Sequence, residues 1–517
     1  MSTTTTQFTV PRNRALSALR QNLTTVPGLQ YEGRLTVERT FFDTFDWLLY
    51  NAKQTLEQEV RQQHSQLRLR PLCGDQSMSV LIYQDSPGLV CDLPQGVFRR
   101  QLEKIIDVRR VLPLFRMRST QHQFSLRDEE DKVRLRLVIE QNTLLSDKGT
   151  NRSLGKRLRL QPLRGYSGEL GQMIEFVLSE LKLQPVAEDI LEKGLLAIGR
   201  KPNDYVLKQE VQISRNMAAD TACRKILQSL LDIVRRNEDG IRNNIDAEFL
   251  HDYRVAARAA RAIFMQCKKR IDPGVSQHLI GELKWLGEVT GPLRDADVYL
   301  QQMPKFEQQL PDKLIAGLDI FKQHLHEQHS MYLNKVCEML DSRRYHDFFK
   351  SCQEFILETS IIEGMPTILD HTNSRINKMY RRALDEGKAI NDASPDEDLH
   401  ELRKTCKKLR YLLEYMQNLY DKKSIRGITR ALKNLQNNLG EFQDLCVQID
   451  TLSHFNDTLI DIKKNRKSKK ALARLIQQMQ QRKQSVRKEF HKVFTDFDTS
   501  KTHELLDELV STSTELS

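Results

Sequence analysis

The sequence predicts an α+β chain in two parts: an antiparallel, β-barrel-like region over residues 1–200, then an all-α region built from a duplicated unit. Three observations carry this. Short segments of alternating polarity fill the first part, helical periodicity takes over after about residue 205, and the second part matches itself at a fixed offset.

In the first part QFTV, YEGRLTVERTFFDT, SQLRLRPL, SVLIYQ, FRMRST, QHQFSLRD, VRLRLVIE and KRLRLQPL read as strands, interrupted by helical pieces at Asn13 to Leu23 and Ser167 to Leu183. Successive strand side chains point to opposite faces, so the alternating Arg and Leu of VRLRLVIE and KRLRLQPL separate cations from aliphatics. A closed antiparallel barrel with a basic lumen would accommodate both faces, and so would a sheet with one solvated face.

Lys201 to Asn203 is the expected junction, and a linker over 201–214 precedes the helical region at 215–498. There, HDYRVAARAAR at His251 returns as HELRKTCKKLR at His400, an offset of 149. His251, Arg254, Arg258 and Arg261 fall on His400, Arg403, Lys407 and Arg410. At the same offset Leu283, Lys284, Leu286, Gly291, Asp295 and Val298 fall on Leu432, Lys433, Leu435, Gly440, Asp444 and Val447. The repeats are expected at about 215–355 and 365–498, with an acidic, frayed tail over 499–517. Asp272, Pro273 and Gly274 should break the first helix pair, Gly291 and Pro292 should kink or end the next helix, and Ser394 and Pro395 should start the second basic helix as N-cap and N1.

His251, Arg254, Arg258 and Arg261 span an arc of roughly 80° on a helix, so they form one stripe. The rest of that helix is small or apolar, which calls for burial, and guanidinium groups in a packed interior need anions or a watery groove. A single stripe of this kind is ordinarily an interhelical salt-bridge row or a solvated face. Two copies at related positions suit a long polyanion better. The candidate residues are therefore His251, Arg254, Arg258, Arg261, His400, Arg403, Lys404, Lys407 and Arg410, with Asp295 and Asp444 in structural roles. KKNRKSKK at Lys463 to Lys470 reads as an exposed basic loop.

Composition narrows the classes of function. A formal charge of +11 and a pI near 9.1 favour anionic partners. The eight cysteines show neither zinc-ligand spacing nor a disulfide framework, which fits a reducing cytoplasm. No apolar run reaches membrane-spanning length. The stripes lack interleaved aromatics for stacking on bases, which disfavours nucleic acid.

HDYRVAARAAR, LHELRKTCKKLRYLLE, LGEVTGPLRDADV and LGEFQDLCV resemble the CHAD family over about residues 215 to 495. That resemblance implies two four-helix bundles about a pseudo-twofold axis, with a basic central surface that binds inorganic polyphosphate. Ala259 and Ala260 thin the basic cluster relative to the family pattern.

The first part resembles the CYTH family through FFDTFDWLLYNA at Phe41 to Ala52 and LEKGLLAIG at Leu191 to Gly199. The resemblance implies an eight-stranded tunnel that hydrolyses triphosphates with a divalent metal. The family's motifs are altered here. Thr3, Thr5 and Gln7 stand at its ExExK positions, Glu57 and Glu59 replace two phosphate-binding arginines, and Leu160 and Pro162 replace carboxylates while Arg164 keeps a cation. Arg70, Arg118, Arg134, Arg136 and Glu140 are left as tunnel residues.

The expectation is thus a non-enzymatic, cytoplasmic polyphosphate-binding protein without a cofactor, with polyphosphate granules as a compatible location. A triphosphatase using Mg²⁺ or Mn²⁺ is the first alternative and a nucleic-acid binder the second.

Overall fold

The alternation of Arg and Leu becomes a two-faced antiparallel sheet. The computed structural model describes residues 6–62, 64–72, 79–146, 149–163, 165–205, 211–268, 271–358, 366–459 and 465–511. They form two units, Met1–Val206 and Leu207–Ser517.

The described residues of the first unit form nine strands, β1 (Thr6–Val10), β2 (Leu29–Asp43), β3 (Gln54–Arg61), β4 (His64–Pro71), β5 (Ser79–Ile82), β6 (Leu112–Arg127), β7 (Val133–Leu145), β8 (Arg152–Pro162) and β9 (Gln184–Pro185). They pair in the order β5-β4-β3-β2-β6-β7-β8-β1-β9. The sheet has one strand more than the eight expected, because β9 adds a two-residue edge beside β1. Among the described residues no ladder joins β5 to β9, so the hydrogen bonding does not close a barrel.

One face is apolar. Leu135, Leu137 and Ile139 of β7 and Leu158 and Leu160 of β8 pack with Leu19 and Leu23 of α1 (Leu16–Thr24) and with Met173 and Val177 of α4 (Ser167–Ser179). Two further helices, α2 (Leu48–Asn51) and α3 (Val97–Ile106), pack on the same sheet. Asp43 organises the turn into α2: its carboxylate accepts the amides of Thr44, Leu49 and Tyr50 at 2.7 to 2.9 Å. The other face carries charge, and one end of it is covered by α5 (Ile190–Ala197). Gly194 makes that cover possible, since a Cβ there would lie 2.0 Å from the Phe115 ring.

The second unit is helical. Its first set is α6 (Ala219–Arg242), α7 (Ala247–Cys267), α8 (Pro273–Gln308), the single turn α9 (Asp312–Ile315), α10 (Asp319–Asp341) and α11 (Arg343–Leu357). The second set is α12 (Ile368–Ala389), α13 (Asp396–Tyr415), α14 (Lys422–Thr458), α15 (Arg466–Phe497) and α16 (Ser500–Ser511). α12, α13 and α14 each begin 149 residues after α6, α7 and α8, so the repeat of sequence is a repeat of structure.

The two sets meet about a local twofold axis. Ala218 and Thr367, themselves 149 apart, form an isolated antiparallel bridge. The amide of Ala219 donates to the Pro366 carbonyl at 3.3 Å, and the equivalent amide of Ile368 donates to the equivalent carbonyl of Met217 at 2.7 Å. Reciprocal bonds between equivalent residues are the signature of an isologous contact.

One expectation narrows and three change. Of the two outcomes expected at Gly291 and Pro292, an ending is excluded: α8 runs through them and Pro304, with Leu283, Leu286, Leu293 and Ala296 buried along its length. α13 begins at Asp396, so Pro395 takes the N-cap position expected of Ser394. Residues 500–511 are a helix, with Leu506 and Leu509 buried. Cys223, buried in α6, is disulfide-bonded, a pairing the scatter of cysteines did not suggest. Thr3, Thr5, Arg164 and the start of the basic loop, Lys463 and Lys464, lie outside the described residues. No helix described is long and apolar enough to cross a membrane.

Candidate functional site

The apolar residues of α7 decide where its cations go. Tyr253, Ala256, Ala257, Ala259, Ala260, Ile263 and Phe264 are buried, which fixes the helix's rotation and leaves the stripe on the one side that is not packed shut. The alanines that thin the family pattern are thus core residues. α13 repeats this with Leu399, Leu402, Cys406, Leu409 and Leu413.

Arg254 is the most constrained cation of the first stripe. Its Nη1 donates to the Gly287 carbonyl and to Thr290 Oγ1 on α8, both at 2.7 Å. Burial and then the charge of Arg258 push it down to about 10, against the opposing pull of Asp295. Arg258 is exposed, with its Nε bonded to the Arg254 carbonyl at 3.2 Å. The Nε of Arg261 is buried and has no acceptor among the described residues. His251 is half-buried near the start of the same helix.

In the second stripe Arg403 lies 3.6 Å from Asp444. Asp295, the equivalent of Asp444, attracts Arg254 electrostatically, so each repeat sets one acidic side chain of its long helix near one arginine. Lys407 is half-buried; burial, Arg403 and Arg258 together push its amine down to about 8. Lys404 pairs with Glu401, and Arg410 donates to Glu414 at 2.7 Å and Gln436 at 3.5 Å. His400 Nδ1 sits 2.6 Å from Gln443 Oε1, which orients the ring.

Arg258 connects the two. Its charge depresses Arg403 and Lys407, which belong to the other repeat. The stripes are therefore one field of cations. The structure brings Arg258, Arg403, Lys407 and Arg410 within electrostatic reach of one another, Arg254 feels the charge of Arg258, and Lys404 is exposed and engaged with its helical neighbour. Tyr411 joins this field and was not singled out from the sequence; its phenol feels Arg258, Arg410 and Arg403. The signal was its place one helical turn beyond Lys407.

The charged face of the first unit is organised differently. Glu59, fully buried, accepts from Arg39 at 3.1 Å and Arg68 at 3.0 Å and pairs with Arg61 at 2.7 Å. Glu57 pairs with Arg68 at 3.3 Å and Arg70 at 3.6 Å, and Glu140 with Arg159 at 3.3 Å and Arg39 at 3.4 Å. Burial raises Glu59, but Arg39, Arg68 and Arg61 outweigh it and hold the carboxyl at about 2. The face expected to be basic is partly compensated by these three carboxylates.

The tunnel residues read from the sequence divide accordingly. Arg70 and Glu140 belong to this network, and Gln7 accepts from Arg157 at 3.3 Å beside it. Arg136 shares the face but is exposed. Arg118 points from the opposite face to Glu38, 2.7 Å away, and Arg134 is held by Asp128 and Glu169, each at 3.1 Å. Leu160 lies in the apolar core; Arg157 and Arg159 are the β8 residues on the charged face, a shift of one from the expected register. Among the described residues there is no cluster of three or more His, Cys, Asp or Glu able to hold a metal ion.

Comparison with known proteins places the helical unit. Residues 225–453 match the CHAD domain family. The solved CHAD domain from the plant Ricinus communis is 23% identical, with a TM-score of 0.46, over 55% of this chain and 95% of that one. HpAC1 from Hippeastrum, described as having a dominant triphosphatase activity, is 14% identical with a TM-score of 0.25, over 40% of this chain and all of that one. An uncharacterized protein of Mycobacterium tuberculosis (strain ATCC 25618 / H37Rv) is 25% identical over 209 residues, and the match spans 39% of either chain.

Proposed function

We propose that the helical unit binds inorganic polyphosphate without chemically changing it. The observation that carries this reading is the packing of α7 against α13, which brings Arg258 near Arg403 and Lys407 of the other repeat, where its charge adds to burial in depressing both. Like charges drawn together and partly buried are unfavourable unless an anion joins them. A chain of phosphates offers oxygens to several cations at once, through charge-assisted and often bidentate hydrogen bonds.

Binding rather than catalysis is supported by the chemistry of the first unit. Its buried carboxylates Glu57, Glu59 and Glu140 are each committed to arginines. A Mg²⁺ site needs carboxylates free to ligate in octahedral geometry, with substrate phosphates completing the shell.

The test is a charge-matched pair of variants. Replacing Arg258, Arg403, Lys407 and Arg410 by Ala removes four cations from the field; replacing the exposed Arg466, Lys467, Lys470 and Arg474 by Ala removes four from α15. Affinity for long polyphosphate should fall by at least about a hundredfold in the first, nearly 3 kcal/mol, and by about tenfold or less in the second. Equal losses in two folded variants would mean diffuse attraction and no defined site. Metal-dependent release of phosphate from triphosphate by the wild-type protein would instead favour an enzyme.

A further inference from the structure

A β-bulge in the first unit builds a pocket on the sheet face that carries α1. In the ladder between β2 and β6, Tyr31 stands opposite Phe124 and Arg34 opposite His122, and the register shifts between Tyr31 and Gly33. Opposed residues share a face, so Tyr31 and Arg34 point the same way where a regular strand would send them apart. Gly33 meets the bulge with a φ of +136°, which a side chain would resist. Glu32 is the extra residue. Its carboxylate turns away to Ser125 and to Arg127, the latter at 2.9 Å.

The bulge thus leaves cations without an anion. Arg20 of α1 stands 4.5 Å from the centre of the Tyr31 ring, and neither Arg20 nor Arg34 is ion-paired with a carboxylate among the described residues. His122 feels both. Its Nδ1 lies 3.1 Å from the Tyr31 hydroxyl, and burial, Arg20 and Arg34 all lower its proton affinity. Phe124 backs the Tyr31 ring, with 5.2 Å between ring centres.

These groups border a pocket of about 250 Å³, lined by Ser17, Arg20, Gln21 and Thr24 of α1 and by Tyr31 and Phe124. A cavity of about 150 Å³ is enough for benzene, and drug-sized ligands take about 300 Å³ or more. The space suits one ring with one small charged group. We infer that this pocket binds a small aromatic carboxylate, its ring beside Tyr31 and Phe124 and its carboxylate on Arg20, with Arg34 and His122 adding to the positive surround. The site belongs to the first unit alone and is independent of the polyphosphate reading.

The test titrates the full chain with benzoate by calorimetry, beside cyclohexanecarboxylate, which has the same charge and no aromatic ring. One benzoate site is expected, with a Kd of about 1 mM or tighter and a preference of at least about tenfold over the aliphatic acid. Arg20→Gln removes the charge, and Thr24→Trp fills the pocket from an exposed position of α1. Each should weaken benzoate at least about tenfold.

His122 reports the position of the bound acid. It faces Arg20 from α1 and Tyr31 and Arg34 from β2, with the apolar Ile139 opposite it on β7. A carboxylate among those arginines offsets their charge, so benzoate should raise the pH at which the His122 resonance, assigned by its loss in His122→Gln, titrates. Absence of saturable binding, equal binding of the aliphatic acid, unchanged affinity in either folded variant or an unmoved His122 titration would each overturn the inference.

Discussion

Arg258 and Lys407 stand 149 residues apart at one position of a repeat, and in the folded chain each lies within the electrostatic reach of the other. That meeting turns two helical stripes into one field of cations. It also makes Lys407 a titrating group at a pH where lysines are ordinarily charged.

Lys407 predicts a pH dependence with opposite signs for stability and binding. Its amine is lowered from 10.5 to about 8, so between those values the unfolded chain holds the proton and the folded one does not. Stability of the free protein should therefore rise as pH increases through that window. Affinity for polyphosphate should fall as pH rises through about 8, because the cation is lost. Lys407→Arg, which stays charged, should flatten the affinity profile. Calorimetric titrations at several pH values check this; an unchanged profile in Lys407→Arg would place the titrating group elsewhere.

Thr290 is expected to position Arg254. It is fully buried, and Arg254 bonds to its hydroxyl at 2.7 Å. Thr290→Val keeps the shape and removes the acceptor, at a cost of about 1.5 to 3 kcal/mol for a hydrogen bond to a charged group. Thermal unfolding reads the stability. The binding isotherm should weaken with it, and Thr290→Ser should restore both.

Glu59 is expected to hold the charged face of the first unit together. Glu59→Gln would leave Arg39 and Arg68 buried with less compensation, a loss of about 3 to 5 kcal/mol. Since its carboxyl is lowered from 4.5 to about 2, the stability it contributes is full above 4.5 and is lost as pH falls through about 2. Acid unfolding of wild type and variant should converge there. Added tripolyphosphate should recover part of the lost melting temperature in Glu59→Gln, because it supplies the missing anion, and should do little for the wild type.

Truncation after Thr499 should destabilise the helical unit. α16 buries Leu506 and Leu509, and a Cβ on Gly427 would come within 2.8 Å of Leu505. Burial of a leucine contributes about 1.5 to 3 kcal/mol, so removal of the helix should cost several. Denaturant titration of the truncated chain measures it; an unchanged midpoint would mean a tail that contributes nothing.

The sequence by itself determined what is local or periodic. Alternating Arg and Leu over 133–139 and 156–160 fixed two sheet faces, because side chains of a strand alternate whatever it pairs with. The offset of 149 fixed a duplicated helical architecture, since α12, α13 and α14 start where the repeat of α6, α7 and α8 requires. The stripes too were legible, as four residues on one helix face.

Tertiary structure decided the rest. Whether the two stripes face each other or point apart depends on the twofold packing of α7 and α13, which no periodicity encodes. Pro292 inside α8 and the helical 500–511 segment went against local signals because burial of Leu293, Leu506 and Leu509 outweighs them. The fate of Glu57 and Glu59 turned on register. Pairing of β3 with β2 and β4 sets them directly opposite or beside Arg39, Arg68 and Arg70, so a run that reads as a charge reversal folds into a network of buried ion pairs.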